Sequence, residues 1–265
     1  MPASNGLESW YRAAELLEAL RVAATPLGVS ALSDQLGMPK STIARYLGVL
    51  QEVGFVRQAA GDVRYQLGPA LYLLGRAVPV DALVRDAARP YLRTLTGEEG
   101  ETSVLAIVDG DTGLCIEKIE SPHAMRLTAR VGERVPLHCG ATPRCLLAYL
   151  PESERDAYLA RPLVALSSRT ITDPVALRAG IDEIRARGYI VTRGEIDEGM
   201  ISVAAPIPDG QGSVVAAVSL AGPAFRLTEE RLPGVIARVR ATAEAVGEAW
   251  MARAPGAVPV AQEVV

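Results

Sequence analysis

Apolar residues near the start of the chain repeat with the period of an α-helix. Ala13, Leu16, Leu17 and Leu20 follow the i, i+3, i+4, i+7 spacing that places side chains on one face. The sequence Thr-Pro-Leu-Gly at 25–28 then interrupts the pattern, because proline and glycine end regular helices. The pattern therefore predicts an amphipathic first helix that packs against a core.

Two further helices joined by a glycine turn are predicted next. Ser30 is a suitable N-cap for a helix over 31–36, and Gly37 supplies the turn that follows it. Pro39 stands where the first turn of a helix tolerates a missing N–H group, and a third helix is predicted over 40–53. The outer face of this third helix carries polar and basic side chains: Lys40, Ser41, Thr42, Arg45 and Tyr46.

Two segments of alternating apolar and polar residues follow. Residues 55–58 and 63–67 have the period of two expected of strands, and 59–62 connect them. Three helices and a hairpin are typical of a winged helix-turn-helix, whose recognition helix enters the DNA major groove. Short hydroxyls and arginines suit contacts with base edges and phosphates. We expect DNA contacts from Ser30, Lys40, Ser41, Thr42, Arg45, Tyr46, Arg57 and Arg64.

The charge distribution agrees with this prediction, although the effect is small. Residues 1–78 carry seven basic and six acidic side chains, a net charge of +1. The whole chain has a net charge of −4, so the remainder carries −5. A locally basic N-terminal region on an acidic body is typical of a modular nucleic-acid binder. The alternative is a small-molecule-sensing interaction module whose winged helix contacts protein and does not read DNA.

Residues 69–80 are predicted to form a linker helix. Leu71, Leu73 and Leu74 lie beside Gly75, and we expect them to pack against a second subunit. Pro79 is expected to end this helix. A longer helix is predicted to follow over 81–96.

The rest of the chain has the pattern of an α+β domain. Strands are predicted over 103–108, 114–119, 125–131, 189–193, 201–206 and 213–220. Helices are predicted over 142–150 and 152–159, from an N-cap at Thr172 to Gly188, and from an N-cap at Thr228 towards the C-terminus. Hairpin strands with helices before and after them favour an antiparallel sheet covered by helices, a size suited to a small-molecule sensor.

Composition excludes several classes of protein. The chain has 265 residues, of which 49% are apolar and 22% charged, so it is long enough to bury a core and is not of the disordered class. Its apolar runs are shorter than a membrane span. Its first residues lack the basic start followed by an apolar stretch that is typical of a secretory signal. Cys115, Cys139 and Cys145 lack the spacing of a disulfide framework or a zinc site. We expect a soluble, cytoplasmic protein that needs no cofactor and contacts no membrane.

An enzymatic function is the least favoured interpretation. His138 and Cys139, with Arg144 nearby, resemble an activated thiol, but His123 is the only other histidine that could act as a base. No phosphate-binding Walker loop or dinucleotide-binding glycine motif is found. We therefore expect a hydrogen-bonded loop histidine at His138 and no enzyme.

Motifs along nearly the whole chain resemble one family. They are LGMPKST at 36–42, RYQLGP at 64–69, VG at 131–132, PLH at 136–138, TITDP at 170–174, RGY at 187–189, Glu195 with Gly199, VAAP at 203–206, SLAGP at 219–223 and RLT at 226–228. In this order and spacing they resemble the IclR family of bacterial transcriptional regulators. The resemblance implies a winged helix-turn-helix (1–68), a dimerising linker helix (69–80), a GAF-like effector domain (81–253) and a flexible tail (254–265).

The same resemblance implies how such a protein works. Family members assemble as homodimers or dimers of dimers on double-stranded operator DNA and are often switched by a small organic acid or aromatic compound. The expected function is therefore a ligand-responsive regulator, a repressor of a catabolic or metabolic operon. The family's effector cavity corresponds here to Leu127, Val135, Ala141, Thr142, Thr192, Met200, Ser202 and Ser219.

Two of these positions, and three residues near them in sequence, depart from the family pattern. Pro143 and Arg144 stand where a glycine and a lysine are usual, Thr192 where an acid is common, Ser202 where a cysteine is common and Ala221 where a hydroxyl is frequent. The remaining hydroxyls lie among apolar residues, which suits a small ligand with an apolar body and a polar or carboxylate end. The departures leave the identity of that ligand open.

Overall fold

The computed structural model divides the chain into two compact units, Met1–Pro79 and Val80–Val265. Each unit has its own apolar core. The residues that the structure describes are 4–23, 25–58, 61–76 and 81–252.

The first unit contains four helices and a short hairpin. Its elements are α1 (Ser4–Val22), α2 (Val29–Leu36), α3 (Lys40–Glu52), β1 (Val56–Gln58), β2 (Tyr65–Leu67) and α4 (Pro69–Arg76). Leu16, Leu32, Ile43 and Leu47 are fully buried where α1, α2 and α3 meet. The apolar residues spaced for one helix face are thus the ones that form the core.

A left-handed glycine sets the angle between α2 and α3. Gly37 follows α2 with φ = 63°, a conformation that costs residues with a Cβ atom far more than it costs glycine. The Ser33 hydroxyl donates to the Met38 carbonyl oxygen at 2.6 Å and so closes the turn from the other side. This turn places α3 with its apolar side inward and its polar side outward.

Two details of the first unit differ from the sequence prediction. Helix α2 begins at Val29 with Gly28 as N-cap, so Ser30 is an exposed residue of the first turn and caps nothing. An antiparallel bridge joins Leu27 to Tyr65, with N–H···O distances of 2.9 and 2.7 Å. The bridge attaches the segment before α2 to the hairpin, a non-local pairing that residue periodicity does not indicate.

The second unit is a six-stranded antiparallel sheet with helices on both faces. Its elements are α5 (Asp81–Glu99), β3 (Thr102–Asp109), β4 (Thr112–Ile119), β5 (Arg134–Pro136), α6 (Ala141–Tyr149), α7 (Glu152–Leu159), α8 (Pro174–Arg187), β6 (Ile190–Arg193), β7 (Met200–Pro208), β8 (Val214–Pro223) and α9 (Leu232–Met251). The strand order is β5-β4-β3-β8-β7-β6. Helices α5 and α9 cover one face, and α6, α7 and α8 cover the other.

The two faces of this sheet differ in side-chain size. Val203, Ala205 and Ile207 of β7 face α5 and α9, whereas Ala204 between them faces α6. The α6 face carries mainly Ala, Ser, Thr and Gly, which fill little volume. Small side chains leave room for a cavity between the sheet and the start of α6.

Three predictions for the second unit are wrong. Residues 125–131 form no strand; the short edge strand lies later, at Arg134–Pro136, and pairs with β4. Asp173, not Thr172, caps α8, because its carboxylate accepts from the N–H groups of Val175 and Ala176 at 3.2 Å. Helix α9 begins four residues after Thr228, whose carbonyl oxygen accepts from the N–H group of Leu232.

Three predicted features lie outside the described residues. They are the middle of the hairpin connection (59–60), the end of the linker helix at Pro79 and the tail (254–265). The domain boundaries therefore stay predictions at those points.

Candidate functional sites

The exposed side of α3 is a continuous polar surface. Lys40, Ser41 and Arg45 are exposed, and Thr42 and Tyr46 are half-buried at its edges. The Arg45 guanidinium lies over the Tyr46 ring, 5.7 Å from its centroid, an arrangement that favours one direction for a long side chain. The first turn of α3 has no side-chain cap, although the N–H group of Thr42 donates to the Pro39 carbonyl oxygen at 2.9 Å, and the N-terminus of a helix favours an anion such as a phosphate.

The hairpin beside α3 carries two exposed arginines in different states. Arg57 lies on β1 opposite Gln66 of β2. The Arg64 guanidinium is bound to Asp62, with Nε 2.6 Å from Oδ2, and the ion pair lowers the pKa of Asp62. The structure thus places six of the eight predicted DNA-contact residues on α3 and the first turn of α2, and two on the hairpin. Arg64 already has an anionic partner.

A cavity of about 170 Å³ opens on the α6 face of the six-stranded sheet. The floor is formed by the strands, and the wall by the start of α6 and by the segments 127–129 and 194–197. All eight residues expected at the effector site line this one cavity: Leu127, Val135, Ala141, Thr142, Thr192, Met200, Ser202 and Ser219. That they bind a ligand stays a prediction.

Glycines permit the close approach of α6 to the cavity wall. Gly140 precedes α6 with φ = 72°, and a Cβ atom there would lie 2.6 Å from Cδ1 of Ile196. Gly113 on β4 faces Pro143, where a Cβ atom would lie 3.1 Å from the proline ring. The start of α6 can therefore lie close against both the sheet and the segment that contains Ile196.

Hydroxyl groups connect the helix to the sheet floor. Thr142 donates its hydroxyl hydrogen to Oγ of Ser219 on β8 at 2.7 Å, and both residues are buried. Thr192 and Ser202 are cross-strand partners on β6 and β7. The cavity lining thus combines apolar side chains with hydroxyls, which suits a ligand with one polar end.

A buried ion pair, of which only the carboxylate lines the cavity, was not predicted from the sequence. The Arg144 guanidinium binds the Glu195 carboxylate in a two-pronged manner, with N···O distances of 2.7 and 2.6 Å, and the residues are 5% and 8% exposed. The Gly140 N–H group also donates to Glu195, at 3.3 Å. Glu195 belongs to one of the family motifs, and Arg144 is a position where the sequence departs from the family pattern. Their contact could not be predicted, because the two residues are 51 positions apart.

The backbone of Glu195 is held independently of its side chain. The hydroxyls of Ser167 and Thr170 donate to its carbonyl oxygen at 3.0 and 2.6 Å. Ser167 also donates to the Gly194 carbonyl oxygen at 2.8 Å. The Glu195 carboxylate is therefore held in three ways: its own backbone is fixed by two hydroxyls, the Gly140 N–H group donates to it, and the Arg144 guanidinium binds it.

His138 and Cys139 do not form an activated pair. One imidazole nitrogen of His138, Nδ1, lies 2.7 Å from the Tyr158 hydroxyl, and Nε2 lies 3.0 Å from the Val164 carbonyl oxygen. Burial lowers the pKa of His138 and raises the pKa of the Cys139 thiol to about 11. A neutral histidine with both nitrogens engaged cannot take a proton from a thiol that holds it this tightly.

The cavity has an unusual balance of charge. Within the described part of the chain, no lysine, arginine or histidine lines it, whereas Glu133, Glu195 and Asp197 do. Glu133 and Asp197 are exposed, so water and salt screen their charges, but Glu195 is buried. In the same described ranges no group of three or more potential metal ligands is found, and no helix is long and apolar enough to cross a bilayer.

A polar recognition helix with a basic hairpin, in one chain with a sensor-type sheet and cavity, defines a class: DNA-binding regulators controlled by small molecules. Two family models match accordingly. One, for the IclR helix-turn-helix domain, covers residues 11–60, and the other, for the C-terminal domain of the bacterial transcriptional regulator IclR, covers 78–248. The chain belongs to the IclR family of transcriptional regulators, and its predicted fold class is confirmed.

Individual relatives agree over nearly the whole length. The chain is 36% identical to the transcriptional regulator KipR of Bacillus subtilis over 81% of this chain and 86% of that protein. The crystal structure of Thermotoga maritima IclR superposes with a TM-score of 0.74 at 32% identity, covering 91% of this chain and 98% of that one. An IclR homologue of Microbacterium hydrocarbonoxydans, crystallised with 4-hydroxybenzoate, gives a TM-score of 0.80 at 25% identity, covering 92% and 99%. The protein is therefore a DNA-binding transcriptional regulator with an effector-binding domain.

Proposed function

We propose that this regulator is a repressor of a catabolic or metabolic operon, released or strengthened by a small carboxylate that binds the cavity on the α6 face. The observation that carries the proposal is the cavity itself, about 170 Å³ with Thr142, Thr192, Ser202 and Ser219 on its polar side. An apolar cavity of about 150 Å³ holds one benzene molecule, so a single aromatic ring or a short chain is the right size. The homologue with 4-hydroxybenzoate supports this ligand class.

The start of α6 is the proposed receptor for the carboxylate. Ala141 and Thr142 are its first residues and line the cavity, and helix N-termini favour anions through their unpaired N–H groups. The neighbouring hydroxyls would orient the rest of the ligand. Thermal unfolding of the full chain with pyruvate, benzoate and 4-hydroxybenzoate tests this, because a ligand at 100 times its Kd adds about 2.7 kcal/mol. Failure of every carboxylate to raise the melting temperature would contradict the ligand class.

DNA binding is proposed to occur through the exposed face of α3, aided by the hairpin. Lys40, Ser41, Thr42, Arg45 and Tyr46 would meet base edges and phosphates, Arg57 and Arg64 the backbone or the minor groove, and Ser30 a phosphate beside α2. Arg45 is the sharpest test, because truncating a side chain that reads a base costs about 1–3 kcal/mol and relaxes sequence preference. Arg178→Ala, on an exposed residue of α8, is the matched control for loss of one positive charge.

The measurement is binding to random-sequence duplex DNA and to duplexes selected from a random pool, each over a range of salt concentrations. We expect Arg45→Ala to weaken binding to the selected duplexes more than binding to random DNA, with Arg178→Ala unchanged. Equal affinities of Arg45→Ala and the parent protein at every salt concentration would contradict the assignment of α3. Absence of any salt-dependent DNA binding would favour the alternative, a protein-interaction module.

Assembly as a homodimer, or as a dimer of dimers, is proposed to use the apolar side chains that the first unit leaves in solvent. Trp10 is 77% exposed and Tyr72, Leu73 and Leu74 of α4 are 67, 64 and 53% exposed. Exposed apolar patches of this kind mark association surfaces. Two paired recognition helices would then meet half-sites about one DNA turn apart. Light scattering of Leu73→Glu should show a shift towards monomer, and an unchanged mass would contradict this surface.

We also propose that the protein has no enzymatic activity and acts in the cytoplasm, where its DNA is. Support comes from the tightly held proton of Cys139 and the two engaged nitrogens of His138. Turnover that is lost in Cys139→Ser would overturn this proposal.

A further inference from the structure

The Arg144–Glu195 ion pair lies between two openings of the second unit. Glu195 lines the effector cavity, whereas Arg144 does not; Arg144 lines a separate groove that α8, β6 and α9 border. Any ligand in the cavity therefore faces the carboxylate of the pair, and the guanidinium stands behind it.

The position of this carboxylate creates an electrostatic conflict with an anionic ligand. Glu195 accepts from the N–H group of Gly140, the residue directly before the proposed carboxylate receptor at Ala141 and Thr142. Because adjacent residues are only about 3.8 Å apart, a carboxylate bound at Ala141 or Thr142 would be a close neighbour of Glu195. At an effective dielectric constant of about 20, two negative charges about 5 Å apart repel each other by an energy that corresponds to about two orders of magnitude in affinity.

Arg144 is the only described basic residue that neutralises Glu195 directly. Its two hydrogen bonds, of 2.7 and 2.6 Å, engage both carboxylate oxygens, so the pair carries no net charge. The other two acids of the lining, Glu133 and Asp197, are exposed and screened. Arg144, which does not line the cavity, therefore determines how strongly the charge of Glu195 acts on a bound ligand.

We propose that Arg144 is a positioning residue that sets the charge selectivity of the cavity, allowing an anion to bind by cancelling and pinning Glu195. This inference rests on the proposed carboxylate effector. It goes further in assigning selectivity between an anion and its neutral analogue to a pair outside the predicted contact residues.

The test compares a carboxylate with a neutral ligand of the same shape, 4-hydroxybenzoate and 4-hydroxybenzamide, by titration calorimetry on the full chain. Arg144→Met should weaken 4-hydroxybenzoate at least about tenfold, and Glu195→Gln should strengthen it about threefold or more, because each change leaves the opposite charge alone. The affinity for 4-hydroxybenzamide should change by less than about threefold in both single variants. The double variant should bind both probes within about threefold of the parent protein. Arg187→Met, which removes an exposed arginine of the same groove, is the matched control.

A purely structural role of the ion pair cannot change the affinity for the carboxylate in opposite directions in the two single variants while leaving the affinity for the amide unchanged. Parallel weakening of both probes by Arg144→Met and by Glu195→Gln would overturn the inference. If an unpaired buried charge prevents one single variant from folding, the other single variant and the neutral double variant decide it. A double variant that loses only the carboxylate would also overturn it, since Arg144 would then contact the ligand. Binding of neither probe to the parent protein would refute the proposed ligand class, an outcome distinct from all of these.

Discussion

Five of the expected DNA contacts lie within positions 40–46 of one helix, whereas the cavity on the α6 face takes its lining from six strands, α6 and the loops between them. The contact residues of α3 need only a helix and a buried opposite face to be presented together. The cavity exists only when residues as distant as Thr142 and Ser219 are brought to 2.7 Å. A surface of the first kind loses affinity one residue at a time, and a site of the second kind depends on the packing of the whole unit.

The two regions also use charge differently. Arg45 and Lys40 of the first unit are exposed to solvent, where charge acts by attracting phosphates over a distance that salt shortens. Arg144 and Glu195 of the second unit are buried and paired, so their charges act at short range and are little affected by salt. DNA binding should therefore weaken steeply with added salt, and effector binding should not.

The largest expected effect separates the two units outright. Leu47→Ala removes a fully buried side chain from the core of the first unit and should cost about 2–5 kcal/mol of its stability. DNA retention should be lost while calorimetric affinity for the effector probe stays within about twofold. Val49→Ala, on the same helix but 56% exposed, is the control and should cost less than about 0.5 kcal/mol. Equal loss of effector binding in Leu47→Ala would show that the units are not independent.

A second change acts on the second unit through pH. Because burial lowers the pKa of His138, its folded value lies below the unfolded value of about 6.5. The stabilisation by the neutral ring is therefore complete above about pH 6.5 and is lost as pH falls through the folded pKa. His138→Gln should lower the free energy of unfolding by about 1–3 kcal/mol at pH 8. When unfolding by urea is measured at decreasing pH, the free energy of unfolding of this variant should fall less steeply than that of the parent protein. A parent-like slope in His138→Gln would refute the prediction.

A smaller change tests whether the hydroxyls of the cavity act on the ligand. Thr142→Val keeps the side-chain shape but removes the donor to Ser219. We expect about a fivefold to tenfold loss of affinity for the carboxylate probe, the value of one hydrogen bond, with DNA binding unchanged. Thr172→Val, at an exposed position before α8, is the matched control. Unchanged affinity in Thr142→Val would show that the ligand lies elsewhere in the cavity.

The smallest expected effect concerns only the hairpin of the first unit. Asp62 holds the Arg64 guanidinium and would compete with a DNA phosphate for it. Asp62→Asn should therefore tighten binding to random duplex DNA by about threefold and steepen its salt dependence. Asp86→Asn, which removes another exposed acid that is paired with an arginine, should have no effect. Weaker DNA binding in Asp62→Asn would indicate that the ion pair positions Arg64 for DNA.

Local structure was the part of the fold that the sequence predicted best. The helices of the first unit, the hairpin β3–β4 and the inner face of α3 follow from residue periodicity, because a helix or a hairpin buries neighbours in sequence. Helix starts were less predictable: Ser30, Thr172 and Thr228 are good capping residues, but Gly28, Asp173 and Arg231 hold the N-cap positions. Capping depends on where the preceding loop enters, which a single residue type does not reveal.

The eight effector positions came from family resemblance and lie around one cavity, although nothing in their spacing predicts that. The edge strand β5 was missed, and a strand was expected at 125–131, because an exposed loop with alternating residues has the same pattern as a strand. That loop contributes Leu127 to the cavity without pairing to the sheet.

The sequence by itself determined the two-part organisation, the recognition helix and the order of most elements, since periodicity and turn residues act over a few positions. Only the tertiary structure decided which charges meet. The Arg144–Glu195 contact joins α6 to a loop 51 residues later, and both side chains are buried there as an ion pair. Electrostatic energy depends on distance and on exclusion of water, and neither quantity is written in the order of the residues.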